Sequence, residues 1–502
     1  MTAIHLNVDV LVIGAGFGGS LTALLLNQIG LKCAVLERGS HPRFALGESA
    51  TPLADLVLGD LALRYGLPRL APLAEYGTWQ KAYPELVCGL KRGFSYFHHR
   101  RHEPWQPSTG RANELLIAAS KTAADADTHW LRSQFDHFLA REAQQAGVEI
   151  VEHSRVEELN GEPPWRLSGT VAGQPLSVDA SFLIDASGEG RVLARLLAIA
   201  DGGNRMRTCS RSIYGHFSDV ESWSDVVAEA GGDAVRHPFP CDDAALHHVF
   251  DGGWMWMLRF NNGVTSAGWL IDSGRFPLVE SLTAVEEWSR WLAEFPSIAR
   301  QFRHAQLVNP PDGLRRTARL QRRVPRAAAD GWAMLPASAY TLDALHSTGN
   351  AHTLAGVERL VQILEGHWQK PELAAKLAEY DQILQAEISH LDRLVHGSYR
   401  SMGQFELFAA FSMFYFIAAH NSEARRREGR VGEPFLWAAE PAFQAVLEGA
   451  YQQLLAITDG RPASADEIRA FARRVSRGLE PFNIAGLQFP DGEGFAGGLV
   501  DV

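Results

Sequence analysis

The 502-residue sequence predicts an α/β protein: a Rossmann-like domain for a dinucleotide, an antiparallel β-sheet laid over it, and a helical C-terminal region. Three observations predict it. The stretch VDVLVIGAGFGGSLTALLLNQIGLKCAVLERG, from residue 8, runs from a buried apolar strand through a glycine turn into a helix with apolar residues at helical spacing, then into a second strand. Residues 205–310 alternate apolar and polar positions between turn signals such as DGG and NNG, the mark of antiparallel strands. Residues 356–480 read as mostly helical, with Leu373, Leu377, Tyr380, Leu384, Ile388, Leu391 and Val395 stepping by three or four along one face.

The opening element is a βαβ unit. Gly14, Gly16 and Gly19 fill its three fingerprint positions: the tight turn, the close approach of backbone to pyrophosphate, and close packing of helix on strand. The helix start then offers free N–H groups and a positive dipole end to phosphates. Glu37, next to Arg38, ends the second strand 18 residues past Gly19, where a carboxylate can bind both hydroxyls of an adenosine ribose. The chain carries one such fingerprint, so a separate NAD(P)H domain of the usual kind is not expected.

Composition bounds the rest. With 46% hydrophobic and 21% charged residues the chain reads as packed and globular, and a net charge of −11 gives no basic footprint for nucleic acid or an anionic membrane. The N-terminus lacks the basic and small-residue marks of a signal peptide, which makes a cytoplasmic location the expectation. The apolar run FAAFSMFYFIAA, at 408–419, is too short to cross a bilayer and reads as a buried helix; its aromatics could also line an aryl pocket. Four widely spaced cysteines without a CxxC pair suggest buried, reduced thiols. The histidine-rich stretch YFHHRRHEPW, at 96–105, fits no common metal spacing and reads as a solvated loop, so no metal is expected. No GxSxG elbow, HExxH or Walker A motif is present, which removes the hydrolase and NTPase classes. The expected division is 1–205 with 310–370 for the dinucleotide domain, 206–309 for the sheet on the substrate side, and 371–502 for the helical region.

Several motifs, spread from residue 10 to about residue 355, together resemble the flavin-dependent halogenases. The helix that begins near LRSQFDHFLARE and the strand-turn-helix FLIDASGEGRVLARLLAI resemble the FAD domain these enzymes share with flavin monooxygenases. The resemblance implies that Arg132 reaches the cofactor and that Asp185 heads a second loop over it. HPRFALGESATP matches at Arg43, implied to contact the dinucleotide, and at Glu48 and Ser49, implied to support the loop at the flavin ring. CGLKRGFSYF resembles the segment bearing the family's essential lysine, in the branch acting on phenolic rings, which makes Lys91 the counterpart. A lysine in apolar surroundings has its charged form disfavoured, so either a hydrogen-bonding ammonium or a chloramine-forming amine is open to it.

MLPASAYTLDALHSTGNAHTL resembles the loop that lies against the flavin, with Asp343 at the family's aspartate and Ser347, Thr348 and Gly349 forming the implied halide site at a helix start. Ala344 departs from the usual proline there, and Leu335-Pro336 replaces a Gly-Asp pair. His346 stands where tryptophan halogenases keep a glutamate, which favours a phenolic substrate. Trp254 and Trp256 match the paired tryptophans implied to border the substrate tunnel, although Leu258-Arg259 replaces the expected Ile-Pro. What the resemblance implies is an oxidoreductase that uses FAD as FADH2, dioxygen and chloride or bromide to halogenate a small electron-rich aromatic ring, free or tethered to a carrier protein, with hypohalous acid delivered to Lys91. A partner flavin reductase would supply the FADH2. The alternatives are a flavin-dependent hydroxylase on the same scaffold, and a non-catalytic binding protein built on the dinucleotide domain.

Overall fold

A computed structural model describes residues 4–487. Its first sheet is built on β1 (Ile4–Ile13), followed by the helix α1 (Phe17–Gln28) and the strand β2 (Cys33–Leu36). β1 lies parallel to β2 on one side and to Gln174–Asp185 on the other; Glu149–Val151 and Trp332–Met334 extend the sheet outward, also in parallel. Parallel strands covered on both faces call for unbroken apolar runs, and Val10, Leu11, Val12 and Ile13 are all buried. Each such side chain contributes roughly 1.5–3 kcal/mol by leaving water. All the strand ends of β1, β2 and Gln174–Asp185 point the same way, so the loops after them converge on one crevice.

The second sheet runs in the order Gln306–Asn309, Ser210–Ser218, Thr265–Asp272, Gly253–Arg259, Ala245–Phe250, Gly93–His99 and Glu114–Ala118. Here the structure corrects two expectations. Two strands come from residues 93–118, well before the stretch that alternation picked out, and Gly93–His99 pairs with Ala245–Phe250 in parallel. The stretch expected to be a solvated loop therefore starts inside a sheet: Tyr96, Phe97 and His99 are buried, and His99 hydrogen-bonds His248 at 2.9 Å. Its polar letters hid the strand because both sheet faces are covered there.

Beyond residue 347 the chain is helical: Thr348–His367, Leu373–Ser401, Phe405–Arg427, Pro441–Ile457 and Ala465–Leu479. Along Leu373–Ser401 the buried face is Leu377, Tyr380, Leu384, Ile388, Leu391 and Val395, while Leu373 at the helix start is half-buried. Phe405–Arg427 is buried on nearly every side, since it packs against Leu373–Ser401, Ala465–Leu479 and Pro52–Arg64 and sets Tyr415 and Phe416 on Phe94 of the second sheet. Among the described residues no helix is long and apolar enough to cross a membrane.

Candidate active site

Between the two sheets lies a cleft of about 1720 Å³. It is lined on one side by Gly14, Gly16, Glu37, Arg38, Arg43 and Arg132, and on the other by Trp254, Trp256, Asp343, Ser347, Thr348 and Gly349, with Glu48 and Ser49 also reaching it. The local sequence explains the first wall. Gly14 has φ of +106°, and a Cβ on Gly19 would stand 1.9 Å from the Gly14 carbonyl oxygen, so both positions demand glycine. Gly16 faces the cleft itself, and the nearest atoms to a Cβ there are guanidinium nitrogens of Arg132 and Arg43 and Oδ2 of Asp136, which Arg132 holds, each at 3.7 Å.

Glu37 accepts from the Ala15 N–H at 2.9 Å and the Gly39 N–H at 2.8 Å, with Arg43 Nη2 at 3.3 Å. Burial pushes its carboxyl up, but Arg43 and the two amides outweigh that and leave it below its ordinary range. Arg132 holds the Leu46 and Gly47 carbonyls at 2.6 and 3.0 Å and forks onto Asp136, which fixes the loop that carries Glu48. Glu48 is buried and bonded to His216 Nε2 at 2.7 Å, and Ser49 accepts from the Ser347 hydroxyl at 3.1 Å. Asp185 is not on the cleft surface: its carboxylate accepts from Ser187 N and Leu193 N, both at 2.8 Å, and so shapes the Ala186–Gly190 loop that does line the cleft.

Across the cleft, buried Asp343 accepts from Ser210 Oγ at 2.6 Å, Tyr399 OH at 2.8 Å and Trp254 Nε1 at 3.1 Å. Trp256 donates to Ser266 at 3.1 Å, and the two indole centroids are 6.1 Å apart. Ser347 sits at φ 51° directly before the helix Thr348–His367, whose first N–H groups open to the cleft. Arg259, where the family resemblance expected proline, binds Asp242 and the Val220 and Glu221 carbonyls, a clamp within the second sheet's surroundings.

Lys91 lies just behind this cleft. It ends the short strand Cys88–Lys91, is fully buried, donates from Nζ to the Ala50 carbonyl, and holds its amine 4.1 Å from the centre of the Phe94 ring. Burial brings its pKa down to about 8, against the pull of Asp127, Asp55 and Glu423. The space around it is aromatic: Phe94 stacks towards Tyr96, Tyr96 stacks on His247 at 4.3 Å, and Tyr415 and Phe416 stand edge-on to Phe94. His247 borders both compartments, since it also lines the cleft. His346 is buried against Tyr415, stacked at 4.6 Å, and contacts Ser398 rather than the cleft.

The family model for FAD dependent oxidoreductases matches residues 9–227. A tetracycline 7-halogenase from Kitasatospora aureofaciens is 30% identical over 407 residues, spanning 80% of this chain and 71% of that protein. The chain belongs to the flavin-dependent halogenases. The monodechloroaminopyrrolnitrin halogenase PrnC of Pseudomonas fluorescens is 27% identical to this halogenase over 491 residues, covering 92% of the chain and 83% of the relative. In fold, it superposes on the halogenase PltM in complex with phloroglucinol and FAD with a TM-score of 0.85, at 22% identity, over 95% and 97% of the two chains. The brominase Bmp2 superposes with a TM-score of 0.66, at 19% identity, over 89% and 100%.

This halogenase is an FAD-dependent enzyme, and the residues of its cleft fit the cofactor. Arg43 Nε is buried without an acceptor, Gly16 leaves room for close approach beside two guanidinium groups, and the helix start of α1 faces the same space. Sequence reading missed Arg322, whose Nε is buried without a partner in the cleft wall, and the carboxylates behind Lys91. Arg322 stood in an arginine-rich run with no motif; only its pairing with Thr341, two residues before Asp343, places it there.

Proposed function

We propose that this halogenase chlorinates or brominates an electron-rich phenolic ring, with hypohalous acid brought to Lys91 and FADH2 supplied by a separate flavin reductase. The observation that carries the reading is the buried Lys91 amine, one residue removed from the cleft wall and enclosed by aromatic rings. When bound, reduced FAD with dioxygen supplies the oxidant that converts halide to hypohalous acid. Gly14, Gly16 and Gly19 would let the backbone approach the dinucleotide closely; Glu37, with Arg38 beside it, would bind the ribose, and Arg43 and Arg132 would bind the phosphates. Glu48 and Ser49 brace the loop at the flavin ring, Asp185 shapes the second loop, and Asp343 fixes Trp254 at the passage. Ser347, Thr348 and Gly349 hold the halide at the helix start, where backbone N–H groups and the dipole favour an anion.

As an ammonium, Lys91 donates to the oxygen of hypohalous acid and draws electron density from the halogen; as an amine, it takes the halogen as the O–X bond breaks, and the displaced hydroxide leaves as water with a proton from the amine. A pKa near 8 keeps both forms populated around neutral pH. Phe94, Tyr96 and His247 orient the acceptor ring and keep water away from the oxidant. A phenolic acceptor suits His346, which offers no carboxylate where tryptophan halogenases have one, and PltM is known with phloroglucinol bound. The named acceptors of the two sequence relatives, a tetracycline and monodechloroaminopyrrolnitrin, support a ring-bearing small molecule more generally.

The test is a mass-resolved assay with a flavin reductase, bromide and a panel of phenols. The expected result is a brominated product from the natural chain and none from Lys91→Ala, with peroxide still produced. Bromination retained in Lys91→Ala, or a hydroxylated product formed without halide, would overturn the reading.

A further inference from the structure

Three buried carboxylates, each from a different element, converge behind Lys91: Asp55 on the helix Pro52–Arg64, Asp127 on the strand Asp127–Trp130, and Glu423 on the helix Phe405–Arg427. Antiparallel register sets Asp127 directly across from Lys91. Asp55 and Asp127 are close enough for each to perturb the other, and Asp55 Oδ1 and Asp127 Oδ2 are buried with no donor. Two carboxyl groups in that contact must share a proton, because two adjacent buried charges repel too strongly. The pair then holds about one negative charge between them.

Among the described residues, none of the three makes a direct ion pair with Lys91, whose Nζ is given to the Ala50 carbonyl. Glu423 has its own neighbours, His420 and Arg427, each at 3.9 Å, and Arg427 reaches solvent. The other polar groups that face this pocket are His129, His247 and Tyr415, with Glu75 and Asp125 further back beside the carboxyl pair. Both histidines are held neutral by burial and by the nearby amine, so they add no positive charge beside it.

Resting on the reading of Lys91 given above, we propose that the Asp55–Asp127 pair is the counter-charge of Lys91: positioning residues that set whether the amine is protonated during halogenation. The electrostatics of the site agree. Burial lowers Lys91, and the carboxylates oppose that; burial and mutual repulsion raise Asp55, while burial raises Asp127 to about 7 and Glu423 to about 8. A shared proton also makes the pair self-repairing. Neutralising one member relieves the other, which then ionises in its place, so either single change should do little and the double change should do much.

The experiment is the pH profile of kcat/KM for bromination, with reduced FAD in excess, in Asp55→Asn, Asp127→Asn, the double variant and Lys91→Ala. The limb that reports Lys91 is expected to stay within about half a unit in each single variant and to fall by about one unit or more in the double. FAD affinity should stay within about twofold throughout, because none of the three carboxylates borders the cleft. A double variant with an unmoved limb, or single variants that each move it as far as the double, would overturn the counter-charge. Should the double variant not fold, Asp55→Ser combined with Asp127→Asn is measured in the same way. Bromination that persists in Lys91→Ala would instead overturn the role given to Lys91, so the two failures are told apart.

Discussion

The two walls of the active region are made from different materials. On the glycine side, the working groups are backbone amides and guanidinium groups set by a turn and a helix start, and most come from residues 14–49. On the lysine side they are side chains drawn from residues 55, 91, 94, 127, 247, 415 and 423, and all are buried. The first wall binds through geometry that any chain with the same local pattern would adopt. The second owes its chemistry to the exclusion of water, which requires half the molecule to be in place.

That contrast is open to direct attack. The largest effect is expected from Lys91→Ala: halogenation falls below detection, at least about 1000-fold, while FAD binding stays unchanged, because the amine is not on the cleft surface. A parallel loss of FAD, measured by flavin absorbance after gel filtration, would erase the distinction between the walls. Next comes Gly19→Ala, whose Cβ would meet the Gly14 carbonyl at 1.9 Å. Neither backbone segment can yield cheaply, and FAD affinity should weaken by about 100-fold, near 2.7 kcal/mol, in a fluorescence titration.

Arg43→Ala should weaken FAD by a smaller factor, about tenfold, and flatten the salt dependence of binding, since it removes one charge from the dinucleotide wall. Its effect on halogenation at saturating FAD should be small. The finest probe is Glu423→Gln. Burial raises the Glu423 carboxyl from 4.5 to about 8 in the folded chain, so the folded state holds the extra proton across that window. Its contribution to stability is full below pH 4.5 and is lost as pH rises through about 8. The neutral amide cannot titrate, so the fall in Tm between pH 5 and 8 should shrink by roughly 2 °C. An unchanged slope in calorimetry would mean that Glu423 is solvated, and that this wall is wetter than its burial implies.

How much of this was legible in the sequence follows the same division. The βαβ unit, the paired tryptophans and the long C-terminal helix face were readable because each is a local pattern with one period or one steric demand. Glu37 could be placed because a strand end fixes its distance from the glycines. The strand Gly93–His99 was hidden, since its two histidines, followed at once by Arg100 and Arg101, look solvated and its partner Ala245–Phe250 lies far along the chain. Asp55 and Asp127 carried no signal at all: one sits in an amphipathic helix start, the other in a polar run, and only the register of Cys88–Lys91 against Asp127–Trp130 brings them to the amine. Asp185 and His346 were found by motif, but motif position fixes a residue's place along the chain and not the direction of its side chain: Asp185 shapes its loop from beneath the cleft surface, and His346 packs on Tyr415.

One stretch of three residues spans both walls. Glu48, Ser49 and Ala50 run alongside residues 128–130, bonded through Trp130 N to Glu48 O at 2.6 Å and Ala50 N to Thr128 O at 3.0 Å. The Ser49 hydroxyl meets Ser347 at the helix start, and the next carbonyl, that of Ala50, holds the lysine. Consecutive peptide units are nearly rigid, with Cα atoms about 3.8 Å apart. The two contacts are therefore geared together: a tilt of this short link that loosens one end must be felt at the other.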